Sequence, residues 1–128
     1  MLREHGPLLI AANHPNSFLD AIILDSIFKI PIYSLTRGDA FAGKTISKIL
    51  TSFNMLPVYR VSEGVENLGY NYTTFDACEK LFEQNKIVLI FSEGKCINEW
   101  HLRPLKKGTA RLAFNAWQNN IDLKVLPL

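Results

Sequence analysis

Ile87-Val88-Leu89-Ile90-Phe91, followed at once by Ser92-Glu93-Gly94-Lys95, is the stretch that decides the fold. It is a continuous apolar run, β-branched in three of its five positions, with no polar alternation. Such a run is too short for a buried helix. It predicts a buried strand, the cleanest in the chain. Leu8–Ala12 (LLIAA) reads the same way. Between and beyond these two, the pattern alternates. Residues 17–29 have apolar side chains at helical spacing, with Asn16 or Ser17 as N-cap. Residues 31–36 are strand-like. Residues 41–53 read as an amphipathic helix, with Ile46, Ile49, Leu50 and Phe53 on one side and Lys44 and Lys48 on another. Residues 55–60 form a strand in which Pro57 implies an edge position or a strand start. Residues 62–71 are a polar, Gly-containing loop, and residues 72–84 a helix ending at Asn85. Residues 92–105 are irregular, Gly108–Gln118 is helical, and residues 123–128 are strand-like. Strand alternating with helix predicts an α/β fold with a mostly parallel sheet flanked by helices. The last strand stops at the chain end, with nothing to pair or cover it. The chain therefore reads as a single domain, incomplete at both ends.

Composition narrows the function classes. The 128 residues are 48% hydrophobic and 20% charged, ordinary for a globular domain. Fourteen Lys and Arg against twelve Asp and Glu leave +2, too small a surplus to imply nucleic acid. Cys78 and Cys96 form no Cys-x-x-Cys pair, and no Cys/His cluster has zinc spacing, so neither a disulfide framework nor a metal site is expected. The cysteine usage suits a reducing, intracellular compartment. No apolar run reaches the about 18 residues of a membrane span. The N-terminal apolar run is ended by Asn13 and His14, lacks the length of a signal-peptide core, and reads better as a first core strand.

In sheets of this kind ligands bind beyond the carboxyl ends of the strands. Two motifs compete there. Gly38-Asp39-Ala40-Phe41-Ala42-Gly43-Lys44-Thr45 matches the P-loop spacing, a phosphate cradle between a strand and a helix. Phe41 sits where such a loop wants a small residue, and IVLIF does not end in the Asp that would hold magnesium. The plainer reading is that Gly38 ends a turn and Lys44 lies on a solvated helix face. The other motif is His14 just past a buried strand, with Asp20 near the start of the next helix. A carboxylate on one imidazole nitrogen fixes the tautomer and leaves the other nitrogen to accept a proton. No protein nucleophile accompanies the pair: Ser17 lacks the Gly-x-Ser-x-Gly elbow. The dyad suits activation of a substrate hydroxyl.

The ordered set Asn13-His14-Pro15-Asn16-Ser17-Phe18-Leu19-Asp20, then LPVYR at 56–60, FSEG at 91–94 and RPLKKGTARLA at 103–113, resembles the glycerolipid acyltransferases, the lysophosphatidic acid and glycerol-3-phosphate acyltransferase superfamily. The resemblance covers nearly the whole chain, and residues 125–128 look like the opening of the family's Pro-rich fourth block. It implies acyl transfer from acyl-coenzyme A or acyl carrier protein, as cosubstrate and not as a resident cofactor, to the hydroxyl of a lysophospholipid or glycerol phosphate. It makes His14 the general base and Asp20 its orienting partner. Arg60 becomes the phosphate ligand, and Glu93 and Gly94 part of the acceptor site. A guanidinium fork matches phosphate oxygens, which agrees with Arg60 in that role.

The sequence departs from the family in places. Five residues separate His14 from Asp20, where four are usual; one extra residue turns a helical position by about 100 degrees, so it must lie in the loop, where Pro15-Asn16 suits a turn. Lys95 and Cys96 stand where the family has Thr and Arg, and Ser92 stands for Pro. Lys95, Arg103, Lys106 or Lys107 are the cations available to replace the missing Arg. The resemblance further implies a peripheral protein on the cytoplasmic face of a membrane, with anionic lipid as a partner of the basic stretch. Each residue also has a plainer reading: Asp20 as a helix N-terminal carboxylate, Arg60 as a surface ion-pair residue, Glu93 as a loop carboxylate on a backbone amide. A rival reading of the whole chain is a non-catalytic lipid-binding relative.

Overall fold

The computed structural model describes residues 6–13, 18–28, 30–59, 69–94 and 101–128. The elements run β1 (Leu8–Ala12), α1 (Phe18–Ile27), β2 (Ile32–Arg37), a 3-10 turn (Gly38–Phe41), α2 (Lys44–Ser52), β3 (Met55–Val58), α3 (Gly69–Glu83), β4 (Ile87–Phe91), α4 (Gly108–Gln118) and β5 (Lys124–Pro127). The strands form one sheet in the order β3-β2-β4-β1-β5, and every pairing is parallel. This is the expected α/β architecture.

IVLIF occupies the middle of the sheet, and four of its five residues are buried. Its pleat divides the core. Val88 and Ile90 join Leu9 and Leu35 on one face, packed by Cys78 and Phe82 from α3 and by Leu112, Ala113 and Ala116 from α4. Ile87 and Leu89 join Ile10, Ala12 and Ile32 on the other, packed by Leu24 of α1 and by Phe28. Right-handed crossovers produce this division, because successive strands step first one way across the sheet and then the other. Thr74, Cys78 and Phe82 recur every fourth residue along α3, which turns one stripe inward. Full burial of Phe82, 1% exposed, contributes about 1.5–3 kcal/mol.

Three helix-to-strand junctions end on an asparagine in the left-handed region, Asn54, Asn85 and Asn120, with φ of 57°, 57° and 58°. After α3 the Lys86 N–H reaches back to the Leu81 carbonyl at 2.9 Å, and after α4 the Ile121 N–H reaches the Ala116 carbonyl at 3.0 Å. These are Schellman closures, for which Asn is the usual substitute for Gly. The expected helix end at Asn85 is thus a specific backbone device.

Three expectations change. The helix read over 41–53 splits, because Gly43 is extended (φ −95°, ψ 130°) and caps a shorter α2. Its apolar stripe does not enter the core: Ile46, Ile49 and Phe53 are exposed, and no residue of α2 is fully buried. α3 begins at Gly69, inside the segment read as loop, and the rest of that loop lies outside the described residues. The last strand is paired: β5 lies against β1, Leu8 opposite Lys124 and Ala11 opposite Pro127. Pro57 sits in β3 on the outermost position, as its missing N–H requires.

Cys78 is completely buried, and burial, aided by the Glu79 carboxylate, pushes its thiol from an ordinary 9.0 up to about 12. The unfolded thiol ionises first as pH rises, so stability is full below about pH 9 and falls toward pH 12. Urea unfolding at pH 8 and pH 10.5 is expected to show this loss, reduced in Cys78→Ala. Iodoacetamide at pH 8 is expected to label Cys78 after denaturation and not before, as mass spectrometry of the peptide reports.

Candidate active site

The carboxyl ends of β1 and β4 meet in register, Ala12 opposite Phe91, and the Ser92 N–H donates to the Ala12 carbonyl at 3.0 Å. The two family-like blocks that come after these strands in sequence therefore leave the sheet from adjacent positions. The turn after β4 is tied from several sides. The buried Ser92 hydroxyl shares a hydrogen bond with Thr109 Oγ1 at 2.9 Å, in the first turn of α4. The Lys106 N–H donates to the Ser92 carbonyl at 2.7 Å, and the Gly94 N–H to the Phe91 carbonyl at 3.0 Å. Gly94 has φ +69°, a conformation that favours glycine, and a Cβ there would lie a tight 3.1 Å from Lys106 Cγ.

Glu93, at the apex of this turn, is 7% exposed. The buried hydroxyls of Thr74 and Ser92 have partners, but no hydrogen bond or ion pair joins the Glu93 carboxylate to any described residue. Burying a carboxylate has a cost that a hydrogen-bonding or cationic partner offsets, and Glu93 has none among the described residues. Asp20 stands in the first turn of α1, half-buried, one turn before Leu24, which anchors that helix to the sheet. Arg103 is half-buried on the irregular segment before α4. His14, Arg60 and Lys95 lie outside the described residues, and so does the expected His14–Asp20 contact. Lys106 is one of several cations that the sequence leaves open to the role of the missing Arg. Its backbone bond to Ser92 and its side chain over Gly94 place it, by contacts far apart in sequence, beside Glu93.

The P-loop-like segment has another structure. Gly38–Phe41 coil into a 3-10 turn, Arg37 Nε donates to Asp39 Oδ1 at 3.0 Å, and a second guanidinium nitrogen pairs with Asp39 Oδ2. Gly38 is where the Tyr59 ring seats: a Cβ at position 38 would fall 2.3 Å from Tyr59 Cε1. The glycine therefore answers a close packing contact. Gly38→Ala is expected to cost about 1–3 kcal/mol, since the ring or the strand end must shift. Thermal melting checks it, and an unchanged Tm would contradict the contact.

Among the described residues no group of three or more His, Cys, Asp and Glu could hold a metal ion, and no helix is long and apolar enough to cross a membrane. No curated protein and no solved structure matches the chain. The family model described as Acyltransferase matches residues 1–128, the same chain whose parallel sheet brings the ends of β1 and β4 together. The chain belongs to the Acyltransferase family, within the glycerolipid acyltransferase superfamily.

Proposed function

We propose that this acyltransferase moves a fatty acyl group from acyl-coenzyme A or acyl carrier protein to the hydroxyl of a lysophospholipid or glycerol phosphate. The observation that carries the reading is the buried Glu93 carboxylate, without a partner among the described residues, at the carboxyl edge beside the end of the strand that precedes His14. In this mechanism His14 takes the proton of the acceptor hydroxyl, and Asp20 holds the imidazole and stabilises its charged form. The acceptor oxygen attacks the thioester carbonyl carbon. A carbon–oxygen bond forms, the carbon–sulfur bond breaks, and the imidazolium proton goes to the departing thiolate. Arg60 holds the acceptor phosphate, and Lys95, Arg103 and Lys106 supply positive charge around it. Glu93 accepts a hydrogen bond from a hydroxyl of the acceptor, and Gly94 leaves room for its close approach. No resident cofactor takes part.

The acylated product is a lipid, and the protein is read as peripheral on the cytoplasmic face of a membrane. Exposed Leu19, Ile22, Ile23 and Ile27 on α1, with Ile46, Ile49 and Phe53 at α2, support a lipid-facing side.

Thiol release from acyl-coenzyme A in the presence of acceptor measures the reaction. His14→Ala is expected to lower kcat by about 100- to 10,000-fold with the melting temperature kept. Unchanged turnover would remove the dyad. Glu93→Gln preserves shape and removes charge, so it is expected to raise KM for the acceptor and leave KM for the donor alone.

A further inference from the structure

Glu93 is buried, and no hydrogen bond or ion pair joins its carboxylate to another described residue. Among these residues its direction is set from the backbone, by the two planar peptide units that flank its Cα. Both units are held. The Ser92 carbonyl, in the unit before Glu93, accepts from the Lys106 N–H at 2.7 Å. The Gly94 N–H, in the unit after it, donates to the Phe91 carbonyl at 3.0 Å. The second bond lies within the turn, whereas the first comes from the segment that leads into α4. In the first turn of that helix, Thr109 Oγ1 shares a hydrogen bond with the buried Ser92 hydroxyl at 2.9 Å.

The end of β4 closes without this hydroxyl pair. The Ser92 N–H already reaches the Ala12 carbonyl at 3.0 Å, and the turn is closed on Phe91. What the pair adds is a tie to a fixed element. Leu112, Ala113 and Ala116 of α4 are buried in the core, and a close-packed core resists any shift of the helix. Thr109 lies on the same helix and carries that position to Ser92, one residue before Glu93. A carboxylate that meets a substrate hydroxyl must be placed to within a fraction of an ångström, and it gains this from neighbours that are themselves locked. We infer that Thr109 is a positioning residue for the acceptor site: through Ser92 it fixes the backbone from which Glu93 meets the acceptor hydroxyl. Thr109 touches no substrate itself. The inference rests on the proposed role of Glu93.

The test measures thiol release from acyl-coenzyme A with a lysophosphatidate acceptor, in the full-length protein. Thr109→Val keeps the shape and removes the hydroxyl. It is expected to raise KM for the acceptor about fivefold or more and to leave KM for the donor as it was. Thr109→Ser keeps a hydroxyl and is expected to restore the acceptor KM. Ser92→Ala removes the other half of the pair. It is expected to give the same rise, and it serves if Thr109→Val does not fold. In a Glu93→Gln background Thr109→Val is expected to add nothing, since the two act through one contact. Thr74→Val is the structural control: it removes the buried hydroxyl bond to the Pro57 carbonyl and is expected to lower Tm with KM unchanged. A lower Tm in Thr109→Val without the KM rise, or the same KM rise in the Glu93→Gln background, would overturn the inference. If Glu93→Gln alone left the acceptor KM unchanged, the role of Glu93 would fall and the inference with it. If the wild-type protein transferred no acyl group, the acyl-transfer reading would fail by itself. Calorimetric binding of a short-chain lysophosphatidate would then decide the Thr109–Glu93 coupling. Thr109→Val alone is expected to weaken that binding about fivefold or more, and to add no loss in the Glu93→Gln background. Absence of binding to the wild-type protein would overturn the inference as well.

Discussion

The functional edge depends on the parallel pairing of β1 with β4. Both strands are apolar on both faces, so the usual penalty for a register slip, a polar side chain turned inward, is weak here. Size takes its place. Large side chains lie opposite one another from Leu8 and Ile87 to Ile10 and Leu89, and the small Ala11 and Ala12 lie opposite Ile90 and Phe91. A slip would put a large side chain where an alanine stands. The Ser92–Ala12 bond closes the last rung, so the chain leaves β1 and β4 at adjacent positions.

From that rung outward, the polar groups separate into two kinds. Thr74 and Ser92 are buried and satisfied, one on the Pro57 carbonyl and the other on Thr109. Their hydroxyls join elements that the chain order keeps apart. Glu93 is buried to a similar degree and lacks such a partner among the described residues. Thr74 and Ser92 thus differ from Glu93 in hydrogen bonding among the described residues and not in burial.

The sheet margin at β3 answers a different constraint. Pro57 has no N–H to give, and among the described residues the strand pairs with β2 alone. α3 begins at Gly69, and its Asn71 and Thr74 side chains reach the Tyr59 N–H, the Tyr59 carbonyl and the Pro57 carbonyl. By sequence alone residues 69–71 read as loop, because Gly69 and Asn71 are poor helix formers; the hydrogen bonds that reward a helix start there come from a strand more than ten residues away.

Much is legible from the residues alone. Unbroken apolar runs at Leu8–Ala12 and Ile87–Phe91, separated by helical spacing, require a parallel α/β sheet, since hydrophobic burial on two faces has few other solutions. The ordered blocks around His14, Arg60 and Glu93 carry the family resemblance that the Acyltransferase match bears out over residues 1–128. Sequence could not place Lys106 over Gly94, seat Tyr59 on Gly38, or pair Ser92 with Thr109. Nor could it turn the stripe of Ile46, Ile49 and Phe53 to solvent. Periodicity states that a helix has an apolar side, a property of near neighbours in the chain. What that side meets depends on contacts closed across long loops, which the packing of the whole sheet alone decides.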